Sequence, residues 1–223
     1  MGDLQTPALS RGEKREGGRT VYEAAKRAMD LVLAAVGLIA CLPALALLAA
    51  IILIDWEGPI LVRQPRVGRR GREFGMWKLR TMRGGADAAL EQVFQDDPGL
   101  RLTWELTQKL YQDPRLTRAG SWLRRFSLDE LPQLWNVILG EMSLVGPRPI
   151  LPTQIEAYGE AIAEYIQVRP GMTGLWQVRG RNLLSFAERV ELDRDYLRRR
   201  SWRLDLWILT RTVWVAVQGV GAF

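Results

Sequence analysis

From Leu31 to Ile54 the chain carries no charged residue, and roughly 20 apolar residues already suffice for a helix to cross about 30 Å of hydrocarbon. Length therefore permits a membrane span. A cleaved signal peptide fits poorly, because the run starts well inside the chain and ends in Asp55-Trp56-Glu57 without a small-residue cleavage pattern. Pro43 falls near its centre, where proline removes a helical hydrogen bond and crowds the preceding turn, so a kink or break is expected there. Both flanks are basic. Arg11, Lys14, Arg15, Arg19, Lys26 and Arg27 precede the run, and Arg63, Arg66, Arg69, Arg70 and Arg72 follow it. A single span should have one flank poorer in cations. A Pro-broken, re-entrant helix that enters and leaves on the cytoplasmic face satisfies both flanks, while a straight single-pass anchor with an ordinary proline kink satisfies one.

The chain has no histidine and one cysteine. The usual general base and the usual zinc ligand are thereby missing, and chemistry near neutral pH falls to carboxylates, Lys, Arg, Tyr or a metal held by oxygen. Cys41 lies within the apolar run and reads as a filler rather than a nucleophile, and a single cysteine excludes an internal disulfide. The formal charge of +6 points to phosphate-bearing or anionic-membrane partners as well as nucleic acid. Residues 1–19 are polar, Gly-rich and of mixed charge and read as a disordered tail. Thr20 and Glu23 form a capping-box pattern that starts the membrane helix. Residues 59–63 and 73–80 read as two short strands turning at Gly68 and Gly71, with Lys78 and Arg80 projecting to one side. Short helices are expected over 87–95, 103–110 and 119–126. Leu128, Leu131, Leu134, Trp135 and Ile138 recur at helical spacing up to a stop at Gly140. Ser185 and Glu188 open another helix, and the apolar stretch from Trp202 to Phe223 carries tryptophans suited to a membrane interface or a core.

The chemistry centres on Asp129 and Glu130 in Ser127-Leu128-Asp129-Glu130-Leu131-Pro132-Gln133. Ser127 to Glu130 is also a capping-box pattern, and acidic residues in a first helical turn offset the macrodipole with no catalytic role. Cationic loops accompany the pair: Arg124 and Arg125 before it, Gly146-Pro147-Arg148-Pro149, Arg169-Pro170-Gly171, and Arg179-Gly180-Arg181-Asn182 after it. Several such loops beside one acidic pair fit a diphosphate held by arginines and a hard cation such as Mg2+.

These motifs, with Lys26-Arg27-Ala28-Met29-Asp30, Trp77-Lys78-Leu79-Arg80-Thr81-Met82 and Asp113-Pro114-Arg115-Leu116-Thr117, resemble those of the bacterial sugar transferases that are monotopic phosphoglycosyl transferases. The resemblance runs from about Lys26 to the C-terminus. It implies transfer of a sugar 1-phosphate from a UDP-sugar to undecaprenyl phosphate, releasing UMP and starting an exopolysaccharide or related glycan; the C-terminal Val220-Gly221-Ala222-Phe223 favours UDP-glucose or UDP-galactose. It implies Asp129 as nucleophile through a phosphosugar-aspartate, Glu130 in Mg2+ or proton handling, and both at the metal. It implies Lys78, Arg80, Arg125, Arg148, Arg169, Arg181 and Asn182 as substrate-binding residues. Leu42 departs from the pattern, since many relatives carry serine before the helix-breaking proline, and larger relatives add a multi-span N-terminal domain. A complete small enzyme and a catalytic portion of a longer chain both fit.

The expected architecture is an α-rich α+β, membrane-associated fold. It comprises the tail at 1–19, a re-entrant membrane helix at 20–57, and a cytoplasmic catalytic domain at 58–223 with a small β-hairpin and amphipathic interfacial helices. The expected location is the cytoplasmic face of the bacterial inner membrane, with membrane lipid and a second copy of the chain as further candidate partners. The competing class is a non-enzymatic single-pass membrane anchor that binds lipid or a protein partner, with Asp129 as a helix cap. Nucleic-acid binding is disfavoured, because the arginines are scattered among loops rather than aligned on one recognition helix.

Overall fold

The computed structural model describes the backbone of residues 11–54, 58–107, 110, 113–180 and 184–218. Helix α1 (Arg11–Ile54) is one continuous helix with Pro43 inside it. Residues 11–19, expected as part of a disordered tail, are helical, since a helix nucleated by the long apolar segment gains one hydrogen bond per added residue and Arg, Glu and Lys are good helix formers; residues 1–10 of that tail lie outside the described residues. Pro43 lies within the helix without ending it, and Leu38 before it and Leu45 and Leu48 after it pack on the body.

The packed stripe of α1 explains how the helix relates to the rest. Asp30, Ala34, Leu48 and Ile52 are buried and Leu38, Leu45 and Ile51 partly so, while Val32, Val36, Ile39, Leu42 and Leu47 stay exposed. One face of the helix therefore lies along the body through both halves of the apolar run, and the other faces are bare hydrocarbon. An exposed apolar surface of this extent marks a membrane or partner contact.

Strands β1 (Leu61–Val67) and β2 (Glu73–Leu79) pair antiparallel, with Val62 opposite Lys78 and Arg66 opposite Phe74. Directly opposed residues share a face, so Val62, Gln64 and Arg66 stand beside Phe74, Met76 and Lys78. On the other face Arg63 lies over the Trp77 ring at 4.8 Å. The connecting turn places Arg70 and Gly71 at φ 62° and 71°, as expected of a glycine there.

Helices α2 (Ala86–Asp96) and α3 (Pro98–Thr107) precede α4 (Arg118–Arg125), whose first turn is capped by Thr117 Oγ1 accepting from Gly120 N at 2.8 Å. A short 3-10 turn over Leu128–Glu130 leads into α5 (Gln133–Leu139), which ends at Gly140 with φ 85°. Strand β3 (Ser143–Val145) runs parallel to β4 (Gly171–Thr173), a pair that the period-2 reading did not detect because each strand has three residues. Between them lie the short helices α6 (Ile155–Tyr158) and α7 (Ile162–Tyr165), and beyond them α8 (Leu175–Arg179). Helix α9 (Phe186–Arg199) starts with the expected capping box, Ser185 N donating to Glu188 Oε2 at 2.8 Å and Glu188 N to Ser185 Oγ at 3.3 Å. Helix α10 (Trp202–Gln218) buries Asp205 and Ile208 and exposes Trp202, Leu206, Trp207, Val213 and Trp214.

The fold is helix-rich α+β. Its main core joins α1, β2, α5, β3 and α8 through Ala34, Met76, Leu134, Val137, Val145 and Leu175. A second cluster of Leu48, Ile52, Leu79 and Leu123 ties the end of α1 to β2 and α4.

Candidate active site

Asp129 is presented by strained backbone. Ser127 takes a left-handed conformation (φ 56°), unusual for a residue with a Cβ, and its side chain makes no cap bond to the turn that follows. The capping box permitted by the sequence is therefore not formed. Leu128 and Leu131 pack against the Leu48–Leu123 cluster, and Asp129 between them is turned inward with 4% exposure. Lys78 Nζ bridges the carboxylates, 2.9 Å from Glu130 Oε1 and 3.4 Å from Asp129 Oδ2. Burial pushes the Asp129 carboxyl above the ordinary range, with the Glu130 charge acting in the same direction. Lys78 and Arg124 oppose the rise.

Lys78 is aimed by Asn136, which is fully buried on α5. The Asn136 amide accepts from Trp77 N at 2.9 Å and donates to Gly75 O at 2.9 Å, pairing the edge of β2 that β1 does not cover. A close backbone approach aims Arg124 in turn: a Cβ on Gly120 would overlap the Thr81 carbonyl, so α4 lies directly on the chain after β2. One turn further on, Arg124 Nε donates to Thr81 Oγ1 at 3.0 Å. Its charged form is disfavoured by burial and supported by Asp129 and Asp113.

Arg148 reaches the same site from the loop after β3. Its guanidinium lies over the Trp176 ring at 5.1 Å, a ring that Arg189 also approaches at 5.1 Å. Its backbone N–H donates to Asp193 Oδ2 at 3.3 Å, and the Tyr158 hydroxyl donates to that oxygen at 2.7 Å. Asp193 is wholly buried, which raises its carboxyl to about 7. Arg66 of β1 is the fourth cation of the group. Burial, then the like charge of Arg148, lowers it to about 10, with Glu130 favouring its charged form. An open cleft of roughly 250 Å3 is lined by Lys78, Glu130, Gln133, Arg148, Met172 and Gln177.

The structure thus brings together Asp129, Glu130, Lys78 and Arg148 among the expected residues. Arg80 is buried near Gly58, with Nη1 unpartnered among the described residues. Arg125 is exposed over Phe126, and its neighbour Arg124 is the one coupled to the dyad. Arg169 donates to Gly140 O at 2.8 Å and lines a different cleft. Arg181 and Asn182 lie outside the described residues. Sequence reasoning missed Arg66, Asn136 and Asp193 as parts of the site. The alternation Val62, Gln64, Arg66 was a usable signal for the first, and a polar residue amid Leu134, Trp135 and Val137 was one for the second.

Among the described residues no group of three or more His, Cys, Asp or Glu could hold a metal alone. Two adjacent carboxylates do suit Mg2+, which takes one or two protein carboxylates and completes its shell with water and substrate phosphate oxygens. Lys78 bridges the two carboxylates and offsets part of their charge.

A carboxylate pair, Asp129 buried and Glu130 partly exposed, with Lys78, Arg66, Arg124 and Arg148 around it, on a body flanked by a long apolar helix, is suited to phosphate chemistry at a membrane surface. The chain belongs to the bacterial sugar transferase family, whose description matches residues 21–219. It is 45% identical over 198 residues to a UDP-galactose-lipid carrier transferase of Erwinia amylovora, covering 89% of this chain and 41% of the relative. It is 42% identical over 195 residues to the exopolysaccharide production protein ExoY of Rhizobium meliloti, covering 87% of this chain and 86% of that one. Identity to an undecaprenyl-phosphate galactose phosphotransferase of Salmonella typhimurium is 41% over 200 residues, again across 89% of this chain and 41% of the relative. The chain therefore spans about two fifths of the Erwinia and Salmonella proteins and most of the Rhizobium one.

Proposed function

We propose that the chain transfers a sugar 1-phosphate from a UDP-sugar, UDP-glucose or UDP-galactose, to undecaprenyl phosphate, and so starts exopolysaccharide or related glycan assembly. The observation that carries this reading is the dyad bridged by Lys78: Asp129 faces inward, and its neighbour Glu130 lines a cleft together with Lys78 and Arg148. A carboxylate in that setting can act as nucleophile. An Asp129 oxygen bonds to the sugar-bearing phosphorus as the bond from that phosphorus to the bridging oxygen breaks, and UMP leaves with the bridging oxygen. A phosphate oxygen of the polyprenyl acceptor then bonds to the same phosphorus, and Asp129 is released as carboxylate. Lys78, Arg66, Arg124 and Arg148 hold the diphosphate and stabilise charge developing on its oxygens. Asp129 and Glu130 would hold Mg2+, which when bound neutralises substrate charge.

The acceptor dissolves in lipid and the donor in water, so the reaction belongs at the interface. Because α1 packs on one body before and after Pro43, we read it as bending at that proline in the bilayer, so that it enters and leaves on the cytoplasmic face of the inner membrane, with the tryptophan face of α10 beside it. The test is UMP release from a panel of UDP-sugars with undecaprenyl phosphate and Mg2+. Release with a hexose donor that is lost in Asp129→Asn is expected. Release from no nucleotide sugar by a folded sample would return the chain to the alternative of a non-catalytic anchor.

A further inference from the structure

A second cleft, of roughly 450 Å3, shares no lining residue with the one at the dyad. Lys26 and Arg27 of α1, Arg69 of the hairpin turn, Arg169 before β4 and Arg200 after α9 line it, against Glu23 and Asp30. The carboxylates are already engaged. Glu23 Oε1 accepts from Arg200 at 2.9 Å, and its Oε2 is 3.7 Å from Arg69. Asp30 accepts from Ser143 Oγ at 2.7 Å and from Leu144 N at 3.2 Å, and Lys26 is drawn 3.0 Å from the buried Asp205. Arg27 and Arg169 instead donate to neutral carbonyls, Arg27 to Val137 O at 2.6 Å and Ile138 O at 3.0 Å and Arg169 to Gly140 O at 2.8 Å. Those bonds orient the two guanidiniums without cancelling their charge. Burial, then the like charges of Arg27 and Arg69, lowers the proton affinity of Arg169, and Asp30 and Glu23 offset this only in part.

The position of this cleft says what kind of anion it meets. Asp30 is the last residue before the apolar run. Tyr22 on the cleft wall stacks edge-on with Trp202 at 5.7 Å, and Trp202 begins the exposed apolar face of α10. Aromatic residues and arginines at the end of a lipid-facing helix mark headgroup depth. We infer that this cleft is a second anion site that takes the phosphate of an anionic phospholipid headgroup and fixes the N-terminal half of α1 at the membrane surface. The inference rests on the membrane placement of α1 given under the proposed function. It requires no chemistry at the dyad.

The test uses the full chain in neutral detergent, titrated with short-chain phosphatidylglycerol, phosphatidylcholine or inorganic phosphate, and reads tryptophan fluorescence and thermal stability. Saturable binding of phosphatidylglycerol and none of phosphatidylcholine is expected, with inorganic phosphate competing. Arg69→Gln/Arg169→Gln should weaken that binding about tenfold, or roughly 1.4 kcal/mol. Arg70→Gln/Arg72→Gln, which removes the same charge from exposed positions nearby, should shift it less than about twofold. Because Arg169 also holds the Gly140 carbonyl, the single variant Arg69→Gln repeats the comparison with that bond intact. Equal weakening in the two double variants would overturn the site in favour of diffuse surface charge. Binding of inorganic phosphate alone would overturn its assignment to lipid. Failure of the unaltered chain to associate with neutral phosphatidylcholine vesicles would contradict the membrane placement instead.

Discussion

Lys78 shares one ammonium between two carboxylates that lie far from it in sequence. Arg66, coupled to Glu130, and Asp193, which holds the Arg148 backbone, extend the site further along the chain, and each carries a prediction. On the proposed function Arg66 makes one charge-assisted contact to the donor diphosphate, so Arg66→Gln should lower kcat/KM for the UDP-sugar by about tenfold to a hundredfold while leaving the melting temperature nearly unchanged. Asp193 holds its proton more tightly in the folded chain, at about 7 against the ordinary 3.8. Its contribution to stability is full below about pH 4 and is lost as pH rises through 7, a difference on the order of a few kcal/mol. Thermal unfolding followed from pH 5 to pH 8 should therefore show a falling melting temperature whose slope is reduced in Asp193→Asn; an unchanged slope would contradict the assignment. Motif reading grouped Asp129, Glu130, Lys78 and Arg148, which the structure brings together, because each lies in a distinctive local pattern. It chose Arg125 over Arg124 because two adjacent arginines differ only in helical phase, and that phase is set by where α4 rests on Thr81.

Elements were legible where periodicity ran long enough to show itself. The helix ended by Gly140, the hairpin and the Ser185–Glu188 cap all stand close to their expected places. The parallel pair β3–β4 was not legible, since three residues carry no period and the pairing joins segments far apart in sequence. Local sterics at Pro43 predict a kink or break, and the packing of α1 on the body before and after that proline is a tertiary effect that no local pattern carries. Gly120 was taken only as part of a helix, though the backbone of Thr81 fills the space a Cβ would need. Gly120→Ala should accordingly destabilise the chain by about 1–3 kcal/mol through overpacking. It should also swing Arg124 away from the dyad, seen as a drop in UMP release under conditions where the variant remains folded; release equal to the parent would separate α4 from the site.

At the scale of the molecule, one body carries an apolar helix surface and a polar cleft. Val32, Val36, Ile39, Leu42 and Leu47 are exposed on α1 and Trp202, Leu206, Trp207, Val213 and Trp214 on α10, while the cleft beside Glu130 is lined by Lys78 and Arg148. Cysteines placed before Lys26 and after Arg63 in a Cys41→Ala background should both be labelled from the cytoplasmic side of oriented vesicles, and labelling from opposite sides would replace the re-entrant arrangement with a crossing one. The central claim is that Asp129 carries the phosphosugar between donor and acceptor. Its most direct test is to mix the protein, without acceptor, with a UDP-sugar radiolabelled at the sugar-bearing phosphate, then quench in denaturant and map the label. The account predicts a burst of UMP matched by label on a peptide containing Asp129, discharged by undecaprenyl phosphate and absent from Asp129→Asn. UMP release that waits for the acceptor, with no label on the protein, would contradict it and assign direct transfer instead.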